Sequence, residues 1–129
     1  MTSGENPRGP YSAYVSTLLN AAVVAAEEKL GLDTVVLDLR ELVDSFDALV
    51  VTSGRNDRQV RAIAEEIERL IDLALGVKPI RVEGLVGGEW VAMDYGDVIV
   101  HVFDETAREY YDLEHLWSAA PALRTLHTS

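Results

Sequence analysis

The sequence predicts a single α/β domain, more closely described as α+β, in which a mixed five-stranded sheet is flanked by helices. Its 129 residues suit one domain with one hydrophobic core. Segments with apolar residues at three- and four-residue steps alternate with short segments rich in β-branched residues, which is typical of helices packed on a sheet. Hydrophobic residues make up 48% of the chain and charged residues 26%, as in globular domains.

The two ends of the chain differ from its middle. Residues 1–10 contain prolines and glycines and no apolar run, so we expect a disordered lead-in and not a signal peptide. The domain is expected over residues 11–120, and residues 121–129, which begin with a proline, are expected to be a loose tail. No apolar run approaches the ~20 residues of a membrane span, and there is no cysteine, so we expect a cytoplasmic protein without membrane contact or disulfides.

The first half of the chain predicts a helix followed by two strands. Apolar residues recur at helical spacing over residues 11–30, and Gly31 is expected to end this helix. Residues 35–39 (VVLDL) form a short β-branched segment, which indicates a strand. Residues 48–52 (ALVVT) form a continuous apolar run, which indicates a strand buried on both faces.

A second helix is expected between Asn56 and Gly76. Asn56 is suited to cap its first turn, and Gln59 stands three residues on, as in a capping box. Gly76 is suited to the left-handed backbone conformation that ends many helices. The face expected to be buried consists of Val60, Ile63, Ala64, Ile67, Leu70, Ile71 and Ala74.

Three more strands and a last helix are expected in the second half. Residues 79–83 show strand-like alternation, and residues 90–95 and 98–103 are expected to pair through a tight turn at Gly96-Asp97. Residues 106–109 (TARE) match a capping box and predict the start of a helix that the next proline stops. The predicted order is helix, strand, strand, helix, three strands and helix.

Acidic charge is concentrated in one part of the chain. There are 22 acidic and 11 basic residues, which gives a net charge of −11. Residues 89–117 hold eight of the acidic residues against the single basic residue Arg108, whereas the other 100 residues hold 14 acidic and 10 basic. Such a field repels phosphate backbones, so we expect no direct nucleic-acid groove and favour a basic protein partner. Acidity that serves solubility alone is the alternative.

The turn after the second predicted strand is the place where a nucleotide would be sought. Ser53-Gly54 lies between a strand and a helix N-terminus, whose free N–H groups attract anions. One glycine does not make a phosphate-binding loop, however, and neither GxxxxGK[ST] nor GxGxxG occurs. We therefore expect a tight turn without a ligand.

Three arginines follow this turn at three-residue steps. Arg55, Arg58 and Arg61 would suit an acidic partner or a phosphate, but a solvated helix face is the more ordinary interpretation. In that interpretation Arg61 pairs with Glu65, one turn further along the helix.

Recognisable catalytic and metal-binding motifs do not occur in the sequence. His101 with Asp104, or Asp94 with Asp97, would supply two metal ligands, whereas a metal site needs three or four that converge. There is no HExxH motif, no GxSxG motif and no cysteine nucleophile. We therefore expect no enzymatic activity, no metal and no cofactor.

The strand over residues 90–95 is the best candidate for a binding surface. Because side chains alternate along a strand, Trp90, Ala92 and Asp94 are expected on one face. The opposite face is expected to carry Val91, Met93 and Tyr95. An aromatic ring beside a carboxylate is a common composition for a binding hot spot, although the tryptophan would equally suit a core.

Four stretches of the chain carry a family pattern. They are VVLDL at residues 35–39, SGRNDRQVRAIA at 53–64, WVAMDYGDVIVHVF at 90–103 and REYYDLEHLW at 108–117. In this order they resemble the first strand, the strand–turn–helix segment, the strand pair and the closing helix of the Iojap/RsfS ribosomal silencing factors. The resemblance runs from about residue 21 to residue 119, and DYGDV and LExLW are its most specific parts.

The chain departs from the family pattern at a few positions. Ala48 stands where an aromatic residue is usual, which affects a local packing contact, and Met93 stands where an aliphatic residue is usual. Tyr110-Tyr111 replaces a Phe-Tyr pair, and Ser118-Ala119 replaces Asp-Ala. None of these changes removes the aromatic and acidic residues of the strand pair.

The resemblance implies a nucleotidyltransferase-like sheet without the catalytic carboxylates of the transferases. It implies binding to ribosomal protein L fourteen on the joining face of the large ribosomal subunit, which keeps the small subunit from docking and represses translation under nutrient limitation. It also implies a possible homodimer. Because organellar relatives serve large-subunit assembly, an assembly factor is the first alternative, and a nucleotide-binding transferase-like enzyme is the second.

The contact residues that the resemblance implies lie in the acidic strand pair. Those expected first are Trp90, Asp94, Tyr95 and Asp97, followed by Met93, Glu89 and Asp104. His101 and Phe103 match the family pattern but also suit the core.

Overall fold

The computed structural model describes residues 9–124 and contains four helices and six strands within them. The elements are α1 (Ala13–Glu28), β1 (Leu32–Asp38), β2 (Ala48–Gly54), α2 (Asp57–Leu75), β3 (Arg81–Glu83), β4 (Trp90–Asp94), β5 (Val98–Asp104), α3 (Glu105–Tyr111), α4 (Leu113–Leu116) and β6 (Ala122–Arg124). Residues 1–8 of the expected lead-in and 125–129 of the expected tail lie outside the described residues.

The strands form one mixed sheet in the order β3-β4-β5-β2-β1-β6. The central strands β2 and β5 are parallel, and every other neighbouring pair is antiparallel. The parallel pair arises because α2 and two further strands lie between β2 and β5 in the chain, long enough for a crossover. All seven residues of β2 are buried, as its continuous apolar run predicts for a central strand.

The sheet has six strands, one more than the five expected from the sequence. Residues 122–124 form β6 and pair with β1, with Val36 opposite Leu123 and Leu37 opposite Ala122. The expectation of a loose tail from residue 121 is therefore wrong for this stretch. A strand of three residues directly after a proline is too short to show alternation, so it could not be predicted from the local pattern.

The N-terminal end of the described chain is also tied down. Arg40 donates hydrogen bonds to the carbonyl oxygens of Gly9 (2.8 Å) and Pro10 (3.3 Å), and its guanidinium lies 4.0 Å from the centre of the Tyr11 ring. Asp38 holds the same guanidinium at 3.0 Å. The last two residues of the expected disordered lead-in are thus ordered against the end of β1.

Helices α1 and α2 pack on one face of the sheet and enclose the larger core. Ser12 caps α1 by accepting from Val15 N at 3.1 Å, and Asn56 caps α2 by accepting from Gln59 N at 2.8 Å. Gly76 ends α2 at φ 68°, as expected. The core side chains of α2 include Val60, Ile63, Ala64, Ile67 and Ile71, whereas Leu70 is half-buried and Ala74 is exposed.

The last helix differs from the expected one in its start and its continuity. Asp104, not Thr106, caps α3, because the Asp104 carboxylate accepts from Ala107 N at 2.7 Å. Asp112 adopts φ 49° and divides the expected helix into α3 and α4. These short helices cover a smaller core on the second face of the sheet, which contains Val35, Leu37, Leu39, Leu49, Val51 and Phe103.

Arg108 fixes α3 to the sheet. Its guanidinium donates to the carbonyl oxygens of Leu32 (2.9 Å) and Asp33 (2.7 Å) and to Ser53 Oγ (3.1 Å), and it pairs with Glu114 at 3.1 Å. Its side chain is only 13% exposed. Residues 89–117, called the acidic segment below, contain no other arginine or lysine, so the one basic residue of this segment is used inside the fold. Within the described residues, no helix is long and apolar enough to cross a membrane.

Candidate functional site

The hairpin of β4 and β5 forms as the sequence predicts. Tyr95 N donates to Val98 O at 2.9 Å across the two-residue turn Gly96-Asp97, and Gly96 has φ 88°, a value that glycine adopts without strain. Alternation along β4 gives the burial pattern half-buried, buried, half-buried, buried, half-buried. The side chains of Trp90, Ala92 and Asp94 therefore share the less covered face.

Strand register extends this face over three strands. Arg81, Asp94 and Ile99 form one row across β3, β4 and β5, and Glu83, Ala92 and His101 form the next. Trp90 and Phe103 form a third row. We call the surface of Arg81, Glu83, Trp90, Ala92, Asp94 and His101 the open face. The helices α1 and α2 lie on the other side of the sheet, and α3 borders the open face at Tyr111.

Trp90 is the centre of an aromatic cluster at the edge of the open face. Its ring lies 5.0 Å from Phe103, 5.7 Å from His101 and 4.4 Å from Tyr111, measured between ring centres. The indole Nε1 donates a hydrogen bond to His101 Nδ1 at 2.9 Å. Trp90 is neither fully core nor fully surface, because its ring is packed on several sides and is half-buried.

His101 is held in its neutral form. Burial lowers the pKa of His101 from its ordinary 6.5 to about 4, because the charged ring would lose its hydration. The indole N–H of Trp90 can only donate, so Nδ1 must be the unprotonated nitrogen and the ring proton resides on Nε2.

Carboxylates flank the open face at both ends. Asp94 and the exposed Asp97 lie at the hairpin turn, where Asp94 Oδ1 accepts from Gly96 N at 2.8 Å. Glu89 is exposed at the opposite end of β4, and its carbonyl accepts from Asp104 N at 2.8 Å. Asp104 is half-buried and its carboxylate caps α3, so its expected contact with a partner competes with a structural role.

Two of the expected contact residues lie in the core. Met93 is 1% exposed and Tyr95 is 6% exposed, and both side chains pack under α1 and α2. Burial raises the pKa of the Tyr95 hydroxyl, and the nearby Glu68 and Asp72 raise it further. Alternation along β4 turns these two side chains away from the open face and into the core, so their expected contact with a partner stays a prediction that their burial does not favour.

The turn at Ser53-Gly54 is occupied by contacts with other residues of the chain. Ser53 Oγ donates to Leu32 O at 3.3 Å and accepts from Arg108, while a methyl group on Gly54 would come within 3.1 Å of Val60 N. Gln59 Oε1 accepts from Arg55 N at 2.6 Å and Asn56 Oδ1 accepts from Gln59 N at 2.8 Å, so two of the N–H groups near this helix N-terminus already have side-chain partners. The tight turn expected from the sequence is what the structure contains.

The arginines after this turn differ in one respect from the expectation. Arg61 pairs with Asp57 at 2.8 Å and not with Glu65, and it also donates to Val86 O at 3.2 Å. Arg55 and Arg58 are exposed, as a solvated face requires. In the part of the chain that the structure describes, no group of three or more histidine, aspartate and glutamate side chains is placed to hold a metal ion.

Sequence reasoning missed three residues of this surface. Tyr111 was expected in a helix but not beside Trp90, because the break at Asp112 and the docking of α3 are tertiary features. Arg81 and Glu83 alternate correctly in the predicted strand, but their face follows only from the pairing of β3 with β4. Alternation in the sequence could show that Arg81 and Glu83 share a face, but it could not show which residues of β4 lie opposite them.

Comparison with known proteins shows the family to which the chain belongs. A family model described as "Ribosomal silencing factor during starvation" (RsfS) matches residues 12–128. The chain belongs to the RsfS family. It is 38% identical over 105 residues to the ribosomal silencing factor RsfS of Bacillus subtilis, an alignment that covers 81% of this chain and 88% of that protein.

Solved structures of relatives share the fold. A crystal structure of a Chromobacterium violaceum protein matches with a TM-score of 0.77 at 38% identity and covers 81% of this chain and 86% of that one. A more distant relative is the mouse protein named "Mitochondrial assembly of ribosomal large subunit protein 1", which is 28% identical over 74 residues, 56% of this chain and 32% of that protein. The resemblance seen in the sequence is thereby confirmed at the level of the family and the fold.

Proposed function

We propose that this domain silences ribosomes by docking its open face on ribosomal protein L fourteen of the large subunit, which blocks the small subunit from joining. Membership of the RsfS family supports a role at the ribosome. The observation that carries the choice of surface is the half-buried Trp90, which lies on the less covered sheet face with carboxylates at both ends. Aromatic anchors with polar surroundings are the usual centres of protein interfaces.

The proposed action is steric and needs no catalytic group. A domain of this size can offer a standard interface of about 800 Å² to one partner. Two ribosomal subunits must approach closely to form their bridges, so an occupied joining surface is sufficient to prevent docking. The protein therefore has to bind in the right place, and it does not have to overcome the affinity of the assembled ribosome. Such a role requires a cytoplasmic protein, as the sequence predicts.

Contributions of individual residues follow from their positions. Trp90 is the proposed anchor, and Tyr111 extends its aromatic surface. Asp94, Asp97 and Glu89 supply the charge that a basic partner would meet, since electrostatic complementarity speeds association and sets specificity. Arg108 is already paired within the fold and does not offset them, so Arg81, opposite Asp94 on the neighbouring strand, is the basic residue of the open face itself.

Co-sedimentation tests the proposed function. Purified protein is mixed with large subunits and sedimented, and small subunits are then added under conditions that favour joining. We expect the protein to travel with large subunits and to reduce the fraction of joined ribosomes in proportion to its occupancy. A protein that stays at the top of the gradient, or joining that stays complete at saturating occupancy, would contradict the proposal.

Assembly of the large subunit is the second candidate function. It is favoured by the likeness to the mouse mitochondrial protein, whose name assigns it to large-subunit assembly. The same open face would serve both roles, so the particle to which the protein binds is the discriminating fact. Quantitative blotting across a gradient of cell extract separates them: enrichment on precursor particles supports assembly, and enrichment on mature large subunits supports silencing.

A further inference from the structure

The open face contains a histidine that the steric proposal does not use. We infer that His101 is a positioning residue, which fixes the Trp90 indole in the orientation that the partner binds. This inference rests on the proposed function. It adds an explanation of how Trp90, the proposed anchor, is held in one orientation.

The register leaves Trp90 free to lean toward His101. Trp90 is directly opposite Phe103, whereas His101 is directly opposite Ala92. His101 is thus the diagonal neighbour of Trp90, a separation that aromatic side chains can bridge. Ala92, directly opposite His101, has only a methyl side chain, and the indole of Trp90 reaches His101 on this face.

The contact between the two rings is directional. Stacking of Trp90 on Phe103 at 5.0 Å and the tilted contact with Tyr111 at 4.4 Å hold the plane of the ring but tolerate rotation within it. The bond from Nε1 to His101 Nδ1 at 2.9 Å removes that freedom, because it has one donor and one acceptor. His101 is itself stacked on Phe103, with ring centres 6.0 Å apart, so the acceptor is also held in place.

The protonation state of His101 suits this role. Nδ1 can accept only while it carries no proton, and burial keeps the pKa of His101 well below its ordinary value. A half-exposed indole without a fixed partner would sample other rotamers, and the binding partner would then have to select one. Immobilising a side chain at an interface typically changes affinity by about two- to tenfold.

Two substitutions of the same residue separate positioning from packing. His101→Asn keeps an acceptor oxygen near the position of Nδ1, and His101→Leu keeps apolar bulk but removes the acceptor. We expect His101→Asn to bind large subunits within about twofold of the wild type, and His101→Leu to bind about tenfold more weakly. Equal losses in both variants, or wild-type binding by His101→Leu, would overturn the inference.

A double-mutant cycle isolates the hydrogen bond itself. Trp90→Phe keeps an aromatic ring and removes the indole N–H, so the interaction with His101 is already absent in that variant. We expect His101→Leu to cost little or nothing further when it is added to Trp90→Phe. Full additivity of the two losses would contradict a shared cause and overturn the inference.

Nuclear magnetic resonance of the free protein tests the geometry independently of the ribosome. The chain has two tryptophans, so the indole N–H region contains two signals, and Trp117→Phe identifies that of Trp90. We expect a His101 ring protonated at Nε2 alone and a Trp90 signal that moves in His101→Leu but stays near its place in His101→Asn. A ring protonated at Nδ1 would overturn the inference.

The two arms also distinguish failure of the inference from failure of the proposed function. If the wild type does not bind large subunits while the resonance results are as expected, the proposed function is wrong and the ring contact serves another partner or none. If the wild type binds and the indole signal is indifferent to His101, binding stands and the positioning role falls.

Discussion

At the scale of single residues, the structure assigns opposite tasks to neighbours on β4. Trp90 and Asp94 lie on the open face, whereas Met93 and Tyr95 are buried under the helices. Strand alternation made this division predictable, but alternation does not tell which face is covered. The family pattern includes all of these residues, and only the positions of α1 and α2 show that the side chains of Met93 and Tyr95 are buried.

Tyr95 provides the first prediction. Its hydroxyl is buried and has no hydrogen-bond partner among the described residues, and a buried polar group without a partner is destabilising. Tyr95→Phe should therefore leave the free energy of unfolding unchanged or raise it by about 1 kcal/mol. Urea denaturation measures this, and large-subunit binding should stay at the wild-type level. A clear loss of binding with unchanged stability would return Tyr95 to the contact surface.

His101 provides a second prediction, which concerns pH. Its pKa is about 4 in the folded protein and 6.5 ordinarily, so the unfolded chain binds the proton more readily. Stability is therefore lost as pH falls from 6.5 toward 4, and between pH 7 and pH 5 the loss should be about 1–2 kcal/mol. His101→Asn should lack this part of the pH dependence. Parallel curves for wild type and variant in urea denaturation would contradict it.

The pH window is chosen to exclude a carboxylate that titrates lower. The hydrogen bond from Arg69 lowers the pKa of Glu66 from its ordinary 4.5 to about 2. Its stabilising contribution is present above pH 4.5 and is lost as pH falls from there toward 2. Measurements at pH 5 and above therefore report on His101 with little contribution from Glu66.

At the scale of elements, α3 connects the core to the open face. Asp104 caps its first turn, Arg108 fixes it to β1 and β2, and Tyr111 at its end contacts Trp90. The sequence predicted a helix here but placed its start two residues late, because residues 106–109 match a capping box by composition. The helix begins earlier because β5 ends at Asp104, and this last residue of the strand is the one that caps it.

Replacing the cap of α3 gives the third prediction. Asp104→Ala should lower the free energy of unfolding by about 1 kcal/mol, because Ala107 N loses its acceptor. Asp104→Asn retains an acceptor and should keep most of the stability. Thermal denaturation compares them, and the result separates the structural role of Asp104 from a contact role. Equal stability of both variants with weaker binding would assign the residue to the interface.

The hairpin and β6 show why some elements were predictable and others were not. Gly96-Asp97 lies between two alternating segments, and that combination determines both the turn and the register. β6 has three residues and owes its place to pairing with β1, a contact between distant parts of the chain. Structure that depends on interactions within a few residues can be predicted from the local sequence, whereas strand pairing between distant parts of the chain cannot.

At the scale of the whole molecule, charge distinguishes the surfaces. The net charge is −11, and carboxylates flank the open face while the arginine of the acidic segment is paired internally. The sequence alone identified the segment, but the division between open face, helix cap and internal ion pair depended on the fold. The homodimer implied by the resemblance stays a prediction, which sedimentation equilibrium of the free protein would test.

Salt dependence is the fourth prediction. Raising ionic strength should slow association with large subunits markedly and change dissociation less, because exposed charges mainly guide the encounter. Asp94→Asn and Asp97→Asn should reduce this dependence, whereas Glu65→Gln, at an exposed position on α2, serves as the matched control. Stopped-flow or biolayer measurements give both rates. Association that is insensitive to salt would show that the acidic segment does not guide binding.

The most direct test of the central claim is subunit joining measured with the wild type and with Trp90→Ala at equal concentrations. We expect the wild type to block joining, and we expect Trp90→Ala, still folded, to bind large subunits more weakly by about 2 kcal/mol and to lose most of the block. Glu65→Gln should behave as the wild type. Full inhibition of joining by folded Trp90→Ala would contradict the claim that the open face is the docking surface.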